Sequence, residues 1–499
     1  MSKRQEFSEY ESARLCFRGG AGEVTGSQTD LILPNGRRTI IDCGSHQGLE
    51  AFGPNGQQKD AAHLTKERVN DIAGVLITHA HYDHGGNVPT LVKKGYHRSI
   101  IATRGTVALL EPMLEDSAHV QAINRGRAKN GKQSSIKNPS GVVLYDASDV
   151  ARTFRYLRGE DYYKEVPICK HERGLTATFN PTGHIIGSAA VGVQIYPNGH
   201  DGSLTLFSGD IGPPRHSIVG WRQKFAPDIT LGPPDNFVIE STRADCDPVT
   251  HLQKVTALLS TIREVWKTGG NPIFPVLSSR LPELMELLFN LQKSGEIPKD
   301  CKFVVDAPLG MKILDVIKDL GPDYLDTSFG DDPDFYKTPE ESMARFESPN
   351  LTVIEGNNRS REAAAKYANF PGKVIIMTSG GMGIGRILNY LDDFGEIPGN
   401  LLVQTSYQAE GTLGKKWQKN GNLDPQGRKA RVVNISGFTG HASGQELIDY
   451  MELYDLSRLK RVFINHGELR ANEALATLLR ARGFSAEIII PQVGQVFSL

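Results

Sequence analysis

The sequence is poor in the features that define several common protein classes. Among 499 residues there are only five cysteines, an odd number, and no two of them form a Cys-x-x-Cys pair. This excludes a disulfide framework or a cysteine-ligated zinc module as the basis of the fold, and it favours a reducing cytoplasm. No apolar run approaches the roughly 20 residues that a membrane-spanning helix needs. The polar segment 1–14 predicts neither a secretory signal nor a transit peptide.

The chain also lacks an excess of charge of either sign. Its 56 basic and 57 acidic residues leave a formal net charge of −1, which excludes a uniformly basic nucleic-acid coat. Contacts with nucleic acid would need local patches, and two stretches qualify. Residues 121–140 hold five basic residues and no acidic residue, and residues 415–431 hold six basic residues and one acidic residue. Each stretch is either a solvated surface or a phosphate contact, the second with Tyr407 and Trp417 nearby for stacking on a single strand.

What is present predicts a large globular α/β protein. Hydrophobic residues make up 39% of the chain and charged residues 23%. Two hairpins are predicted around Pro-Asn-Gly turns, at 28–42 and at 189–208. Residues 105–165 favour helix, with an interruption. From about residue 250, strand and helix patterns alternate, which predicts a parallel sheet covered by helices.

A dense group of metal-ligand side chains follows a short apolar strand at 73–78. Residues 78–86 read Thr-His-Ala-His-Tyr-Asp-His-Gly-Gly, with three histidines and one aspartate within six positions. Imidazole and carboxylate groups suit zinc and similar borderline metals. Such a group is rarely structural, so this loop predicts a metal site.

Three residues elsewhere are candidates for completing that site. His184 lies between glycines in Pro-Thr-Gly-His-Ile-Ile-Gly-Ser, and Asp210 and His466 each follow a predicted strand. Each alone would be an ordinary structural residue. Beside the HxHxDH loop, each becomes a candidate ligand.

The order of these motifs resembles the metallo-β-lactamase superfamily and, within it, the β-CASP branch of nucleic-acid-processing enzymes. The likeness runs from about Arg14 to the end of the sequence, and it begins with Gly-Ala-Gly-Glu-Val-Thr-Gly-Ser at 20–27. Later motifs surround Glu240 in Val-Ile-Glu-Ser-Thr and His441 in Gly-Phe-Thr-Gly-His-Ala. Residues 406–414 are also typical of the branch. Residues 277–280, Leu-Ser-Ser-Arg, depart from it by replacing a glycine-containing strand exit while keeping the arginine.

The resemblance implies a metallo-β-lactamase αββα sandwich of the α/β class, with a β-CASP domain inserted as a parallel sheet flanked by helices. The first metallo-β-lactamase segment would span 1–248, the β-CASP domain 249–427, and the returning metallo-β-lactamase segment 428–499. This return of the chain would explain a metal ligand as late as His466.

The resemblance also implies a site for two zinc ions, with manganese as the alternative metal. The implied ligands are His79, His81, His184 and Asp210 for one ion, and Asp83, His84, His466 and the shared Asp210 for the other.

The implied catalytic residues are His441, Glu240, Asp83 and Asp42. His441 would act as general acid with Glu240 orienting it, and Asp42 would orient metal ligands from behind.

Four residues are predicted to bind substrate: Ser406, Tyr407, Gly381 and Arg386. The glycine-rich segment 380–385 precedes a helix, which suits close packing or backbone contact with phosphate better than a dinucleotide site.

The activity implied is a zinc-dependent ribonuclease that hydrolyses phosphodiester bonds of single-stranded RNA in the cytoplasm. It would be an endonuclease, with 5′-to-3′ exonuclease activity as a second mode, in RNA processing or decay. His466 favours RNA, since the DNA-repair members of the family tend to lack this histidine. Three alternatives stay open: a β-CASP DNA nuclease, a hydrolase of small thioesters or lactams, and a non-catalytic RNA-binding homologue. No membrane contact is expected, and a homodimer is a further prediction.

Overall fold

Three β-sheets organise the residues that the computed structural model describes. These residues are 12–47, 51, 59–60, 69–129, 143–170, 172, 174–196, 202–214, 218–219, 231–327, 329, 332, 335–380, 385–405, 413–420 and 430–499.

The first sheet has seven strands. They are β1 (Arg14–Gly19), β2 (Gln28–Ile32), β3 (Arg38–Ile41), β4 (Ile72–Leu76), β5 (Ile100–Thr103), β6 (Leu157–Glu160) and β20 (Val496–Ser498). Their spatial order is β20-β1-β2-β3-β4-β5-β6. The pairs from β20 to β3 are antiparallel and those from β3 to β6 are parallel.

The second sheet also has seven strands. They are β7 (Val166–Pro167), β8 (Leu175–Pro181), β9 (Ala189–Ile195), β10 (Ser203–Phe207), β11 (Asn236–Glu240), β18 (Arg461–Asn465) and β19 (Glu487–Ile489). Their order is β19-β18-β11-β10-β9-β8-β7, and β10, β11 and β18 run parallel to one another. Phe17, Leu76, Val191 and Phe463 belong to one apolar core between the first two sheets.

The third sheet has six strands, and all its pairings are parallel. They are β12 (Pro272–Val276), β13 (Lys302–Asp306), β14 (Leu351–Val353), β15 (Val374–Ser379), β16 (Leu401–Gln404) and β17 (Arg431–Asn434), in the order β14-β13-β15-β12-β16-β17. Strand β12 is buried along its whole length and β15 at all but its last residue, as is typical of a parallel sheet covered by helices. This sheet interrupts the second one between β11 and β18, so it forms an inserted domain.

Helices cover the outer faces of these sheets. The α-helices are Tyr82–Gly85, Val88–Lys93, Arg104–Lys129, Ala147–Thr153, His251–Lys267, Leu281–Lys293, Pro308–Leu320, Pro339–Met343, Asn357–Ala368, Ile387–Phe394, Leu413–Lys419, Gly444–Met451 and Leu469–Arg482. Short 3-10 turns lie at Ser278–Arg280, Pro322–Tyr324 and Ala344–Phe346. Among the described residues, no helix combines the length and apolar character needed to cross a membrane.

Most of the predicted architecture is confirmed. The α/β class, the two-sheet sandwich and the inserted parallel sheet are all present. Both hairpins form, as the antiparallel pairs β2–β3 and β9–β10, although the second turn lies outside the described residues. The domain boundaries at 248 and 427 stay predictions. Strand β17, which follows the predicted boundary at 427, pairs with β16 of the third sheet.

The helical prediction for 105–165 is wrong at Leu157–Glu160, which forms the edge strand β6. Its sequence, Leu-Arg-Gly-Glu, has no alternation of apolar and polar residues. Pairing with β5 decides the conformation, and this partner is more than fifty residues away along the chain.

A buried ion network anchors the loop at 20–27. The Nδ1 atom of His46 lies 2.6 Å from Asp60 Oδ1, and its Nε2 atom lies 3.1 Å from Glu23 Oε1. Gly26 packs on the imidazole so closely that an added Cβ would lie 2.4 Å from the ring. Burial lowers the pKa of His46, but the hydrogen bonds to Asp60 and Glu23 outweigh it and raise the pKa to about 9.

We expect this network to make stability fall as pH rises from about 6.5 to about 9. The folded state binds the His46 proton more tightly than the unfolded state does. The stabilisation from this proton is therefore complete below the pKa of the unfolded state and is lost as pH rises through the pKa of the folded state, about 9. The contribution is about 3 kcal/mol. Thermal unfolding of wild type and His46→Gln across this pH range measures it. The gap in Tm should narrow towards high pH, and a gap independent of pH would contradict the assignment.

Candidate active site

The polar cluster forms where strands of both sandwich sheets end. Asp210 follows β10, Glu240 is the last residue of β11, and His466 directly follows β18. Because these three strands are parallel neighbours, their carboxyl ends meet at one edge of the second sheet. Strand β4 of the first sheet leads to His79 at the same place, and the turn between β8 and β9 supplies His184.

Two sets of side chains could each hold a metal ion, and we call them the ligand sets. The first set consists of His79, His81, His184 and Asp210. The Nδ1 atom of His81 lies 3.1 Å from His79 Nε2 and 2.9 Å from His184 Nε2. The Oδ2 atom of Asp210 lies 3.4 Å from each of those two Nε2 atoms. Four donors around a tetrahedral zinc stand about 3.4 Å apart, given zinc–nitrogen distances of about 2.0–2.1 Å. The donor set therefore fits such an ion.

The second ligand set consists of Asp83, His84 and His466. The Nε2 atoms of the two histidines lie 3.0 Å apart, and Asp83 Oδ2 lies 3.7 Å from that of His466. The other oxygen of Asp210, Oδ1, lies 3.2 Å from His84 Nε2. It is buried and receives no hydrogen bond from the described residues. Asp210 thus turns one oxygen to each set, so it could contribute a ligand atom to both.

The protonation of the three histidines of the first set suits metal binding. Burial lowers the pKa of His79 and His184 well below its ordinary value, and it lowers that of His81 to about 4, so these rings are neutral at pH 7. The Nδ1 atom of His184 lies 2.6 Å from the carbonyl oxygen of Gly440. Because a carbonyl only accepts, this nitrogen carries the proton and Nε2 presents a lone pair to the site.

Asp42 supports the ligands from behind. Its Oδ2 atom lies 2.7 Å from His84 Nδ1 and accepts a 3.0 Å hydrogen bond from Thr78 Oγ1. The same threonine oxygen lies 3.1 Å from His79 Nδ1. One carboxylate therefore contacts a histidine of the second set directly and one of the first set through Thr78. Asp42 and His466 adopt φ values of 60° and 50°, which non-glycine residues rarely do, so the backbone is strained at the site.

His441 and Glu240 form a pair beside the ligand sets. The Nδ1 atom of His441 lies 3.0 and 3.1 Å from the two carboxylate oxygens, and its Nε2 atom lies 3.8 Å from Asp210 Oδ2. Glu240 accepts further hydrogen bonds from the backbone nitrogens of Ile211, at 2.6 Å, and Thr242, at 3.2 Å. Burial lowers the pKa of His441, but the charges of Glu240 and Asp210 outweigh it, so the pKa lies above its ordinary value.

Comparison with known protein families agrees with this arrangement. Three family profiles match in succession: the metallo-beta-lactamase superfamily over residues 25–252, the Beta-Casp domain over 282–416, and a Zn-dependent metallo-hydrolase RNA specificity domain over 426–491. The chain belongs to the β-CASP branch of the metallo-β-lactamase superfamily. Its fold is that of a metal-dependent hydrolase, and its cluster of histidines and aspartates could hold metal ions.

Individual relatives in this branch cover most of the chain. Ribonuclease TTHA0252 of Thermus thermophilus is 28% identical and aligns over 97% of this chain and 99% of its own length. The transcription termination factor FttA of Methanosarcina mazei is 28% identical over 95% of this chain and 70% of its own length. Endoribonuclease YSH1 of Candida albicans is 22% identical over 94% of this chain, which spans half of that protein.

Of the four residues predicted to bind substrate, Arg386 alone lies among the described residues. Gly381, Ser406 and Tyr407 lie outside the described residues. The guanidinium of Arg386 pairs with Asp306 and donates a 3.0 Å hydrogen bond to the carbonyl of Ile354, at the carboxyl edge of the third sheet. A role for these residues in substrate binding stays a prediction.

Trp417 cannot stack on a nucleic-acid strand, because its side chain is fully buried in the core of the inserted domain. The proposed stacking partner near 415–431 was therefore wrong. Conversely, Thr78 and Thr242 were not predicted as site residues, although their hydroxyl oxygens lie 3.1 Å from His79 Nδ1 and 3.0 Å from His466 Nδ1. Their only sequence signal is adjacency, since each stands within two residues of a predicted site residue.

We expect wild-type protein to bind two ions and Asp210→Asn to lose both, because each oxygen of Asp210 faces one ligand set. His184→Ala should weaken the first site alone, and His466→Ala the second alone. Elemental analysis after extensive dialysis measures the stoichiometry. His97→Ala is the matched control, since His97 is exposed and its Nδ1 atom lies 2.9 Å from the carbonyl oxygen of the nearby Gly95, away from both ligand sets. Two tightly held ions in Asp210→Asn would contradict the bridging role.

Proposed function

We propose that this protein is a zinc-dependent ribonuclease that hydrolyses phosphodiester bonds of single-stranded RNA. The observation that carries the proposal is the position of His441. Its Nε2 atom lies 3.8 Å from Asp210, the residue that both ligand sets share. A proton donor therefore stands beside a site suited to two ions, which is the combination that phosphodiester hydrolysis needs.

The donor chemistry favours zinc over manganese. Five of the seven ligand residues are histidines, and imidazole suits zinc better than the oxygen-rich sites that manganese prefers. Divalent ions held there would supply an activated water and would neutralise charge on the phosphate oxygens.

The chain's own residues supply the proton for the leaving oxygen. The Nδ1 atom of His441 is held by Glu240, so Nε2 is the nitrogen left to face the substrate. Glu240 is itself fixed by two backbone hydrogen bonds and is fully buried, whereas the His441 side chain is 19% exposed. We infer that His441 is the general acid and that Glu240 positions it and supports its charge.

RNA is the substrate that the comparisons favour. The profile over residues 426–491 describes an RNA specificity domain, and this segment carries both His441 and His466. Two relatives that align over almost the whole chain bear the names ribonuclease and endoribonuclease. We propose endonucleolytic cleavage, with 5′-to-3′ exonucleolytic cleavage as the second mode to be tested. Action in the cytoplasm fits five cysteines of which none forms a disulfide, and a homodimer stays a prediction.

The direct test is cleavage of a 5′-labelled single-stranded RNA by zinc-loaded protein. We expect His441→Ala to cut about 10²–10⁴ times more slowly while keeping its zinc, because it lacks the proton donor but no ligand. Asp83→Ala should fail because it loses a ligand. His97→Ala, an exposed histidine, should cut like the wild type.

The products and the substrate distinguish the remaining possibilities. Internal fragments at early times indicate an endonuclease, and released mononucleotides indicate a 5′ exonuclease. A single-stranded DNA of the same sequence, tested in parallel, identifies a DNA nuclease if it alone is cut. If the zinc-bound protein binds RNA but cuts neither the RNA nor the DNA, the proposal is overturned in favour of a non-catalytic RNA-binding protein.

A further inference from the structure

We propose that Ser279 is a positioning residue for the metal ligand His81, so that the inserted domain sets the metal affinity of the first ligand set. The inference rests on the metal-binding part of the proposed function and does not depend on the substrate. It concerns which nitrogen of His81 carries the proton.

Each ligand histidine needs a partner for its outward nitrogen. A ring that binds a metal through one nitrogen carries its proton on the other, and an acceptor there fixes both tautomer and orientation. Four of the five ligand histidines have that partner within the sandwich. The partner is Thr78 Oγ1 for His79, Asp42 Oδ2 for His84, the Gly440 carbonyl oxygen for His184 and Thr242 Oγ1 for His466.

His81 is the exception, because its partner comes from the inserted domain. Its Nδ1 atom points into the first set, and its Nε2 atom lies 3.1 Å from the hydroxyl oxygen of Ser279. Ser279 is the middle residue of the turn Ser278–Arg280, between strand β12 and the helix Leu281–Lys293. When Nε2–H donates to this hydroxyl, the proton stays off Nδ1 and leaves it free to bind the ion. A glycine at this position would have no hydroxyl to offer.

The neighbouring Arg280 holds the turn rigidly against the same ligand set. Its Nη2 atom donates a 3.1 Å hydrogen bond to the carbonyl of His184, and its side chain is 9% exposed. Gly440 lies so close to the guanidinium that an added Cβ would stand 1.4 Å from Nη2. A single turn of the inserted domain thus contacts the segments of two ligands of the first set. Because coupling between binding sites is reciprocal, metal binding at this set also favours docking of the turn.

The test measures zinc affinity by competition with a chromophoric chelator. We expect Ser279→Ala to bind one of its two ions about tenfold more weakly, the lower end of the effect of losing a partner behind a metal ligand. Ser278→Ala is the matched control, because Ser278 lies in the same turn and its side chain makes no hydrogen bond to the ligand histidines that the structure describes. Ser279→Thr keeps a hydroxyl and should restore the wild-type affinity.

The absorption spectrum of cobalt-loaded protein gives a second readout, because it reports ligand geometry independently of activity. The spectrum should change in Ser279→Ala and stay unchanged in Ser278→Ala. If wild-type protein binds no metal, the proposed function fails together with this inference. If wild type binds two ions and both alanine variants match it in affinity and spectrum, this inference alone is overturned. This inference is also overturned if Ser279→Thr binds zinc as weakly as Ser279→Ala, because the hydroxyl would then not be the group that sets the affinity.

Discussion

A single buried carboxylate organises the site. Asp210 is 2% exposed, and an ionised carboxylate removed from water is costly unless opposite charge or hydrogen bonds compensate it. Burial alone would raise the pKa of Asp210, but the facing histidines, His466 and His84 foremost, hold it well below its ordinary value. The histidines around it are therefore part of what makes its burial tolerable, and two bound cations would complete the compensation.

The order of strands in the sandwich places other site residues next to this carboxylate. Three parallel strands, β10, β11 and β18, deliver Asp210, Glu240 and His466 to adjacent positions because parallel neighbours end at the same edge. Hydrogen bonds stabilise the strained backbone at Asp42 and His466. The backbone nitrogen of Thr78 donates to Asp42 Oδ1, and the hydroxyl of Thr242 donates to the carbonyl oxygen of His466. The inserted domain then closes over this edge with Ser279 and Arg280, so it contributes to ligand orientation as well as covering the site.

Local patterns allowed much of this to be predicted. The HxHxDH loop concentrates its ligands within six residues, so its chemistry is visible without any fold. Hairpins around Pro-Asn-Gly turns and the alternating strands and helices after residue 250 were likewise readable, because turn residues and hydrophobic periodicity are local properties. His184, Asp210 and His466 became candidates only beside that loop, since one histidine or aspartate at a strand end is usually structural.

The sequence by itself indicated a metal site and an α/β fold, because ligand-type side chains at short spacing and alternating strand and helix patterns are local properties. The order of the segments followed from motifs that resemble a known family. Only the tertiary structure decided which oxygen of Asp210 faces which ligand set, which partner fixes each imidazole, and that Trp417 is buried rather than available for stacking. It also made a strand of Leu157–Glu160, which has no strand pattern of its own. These outcomes depend on contacts between residues up to several hundred positions apart, and such contacts follow from how the sheets pack rather than from any local pattern.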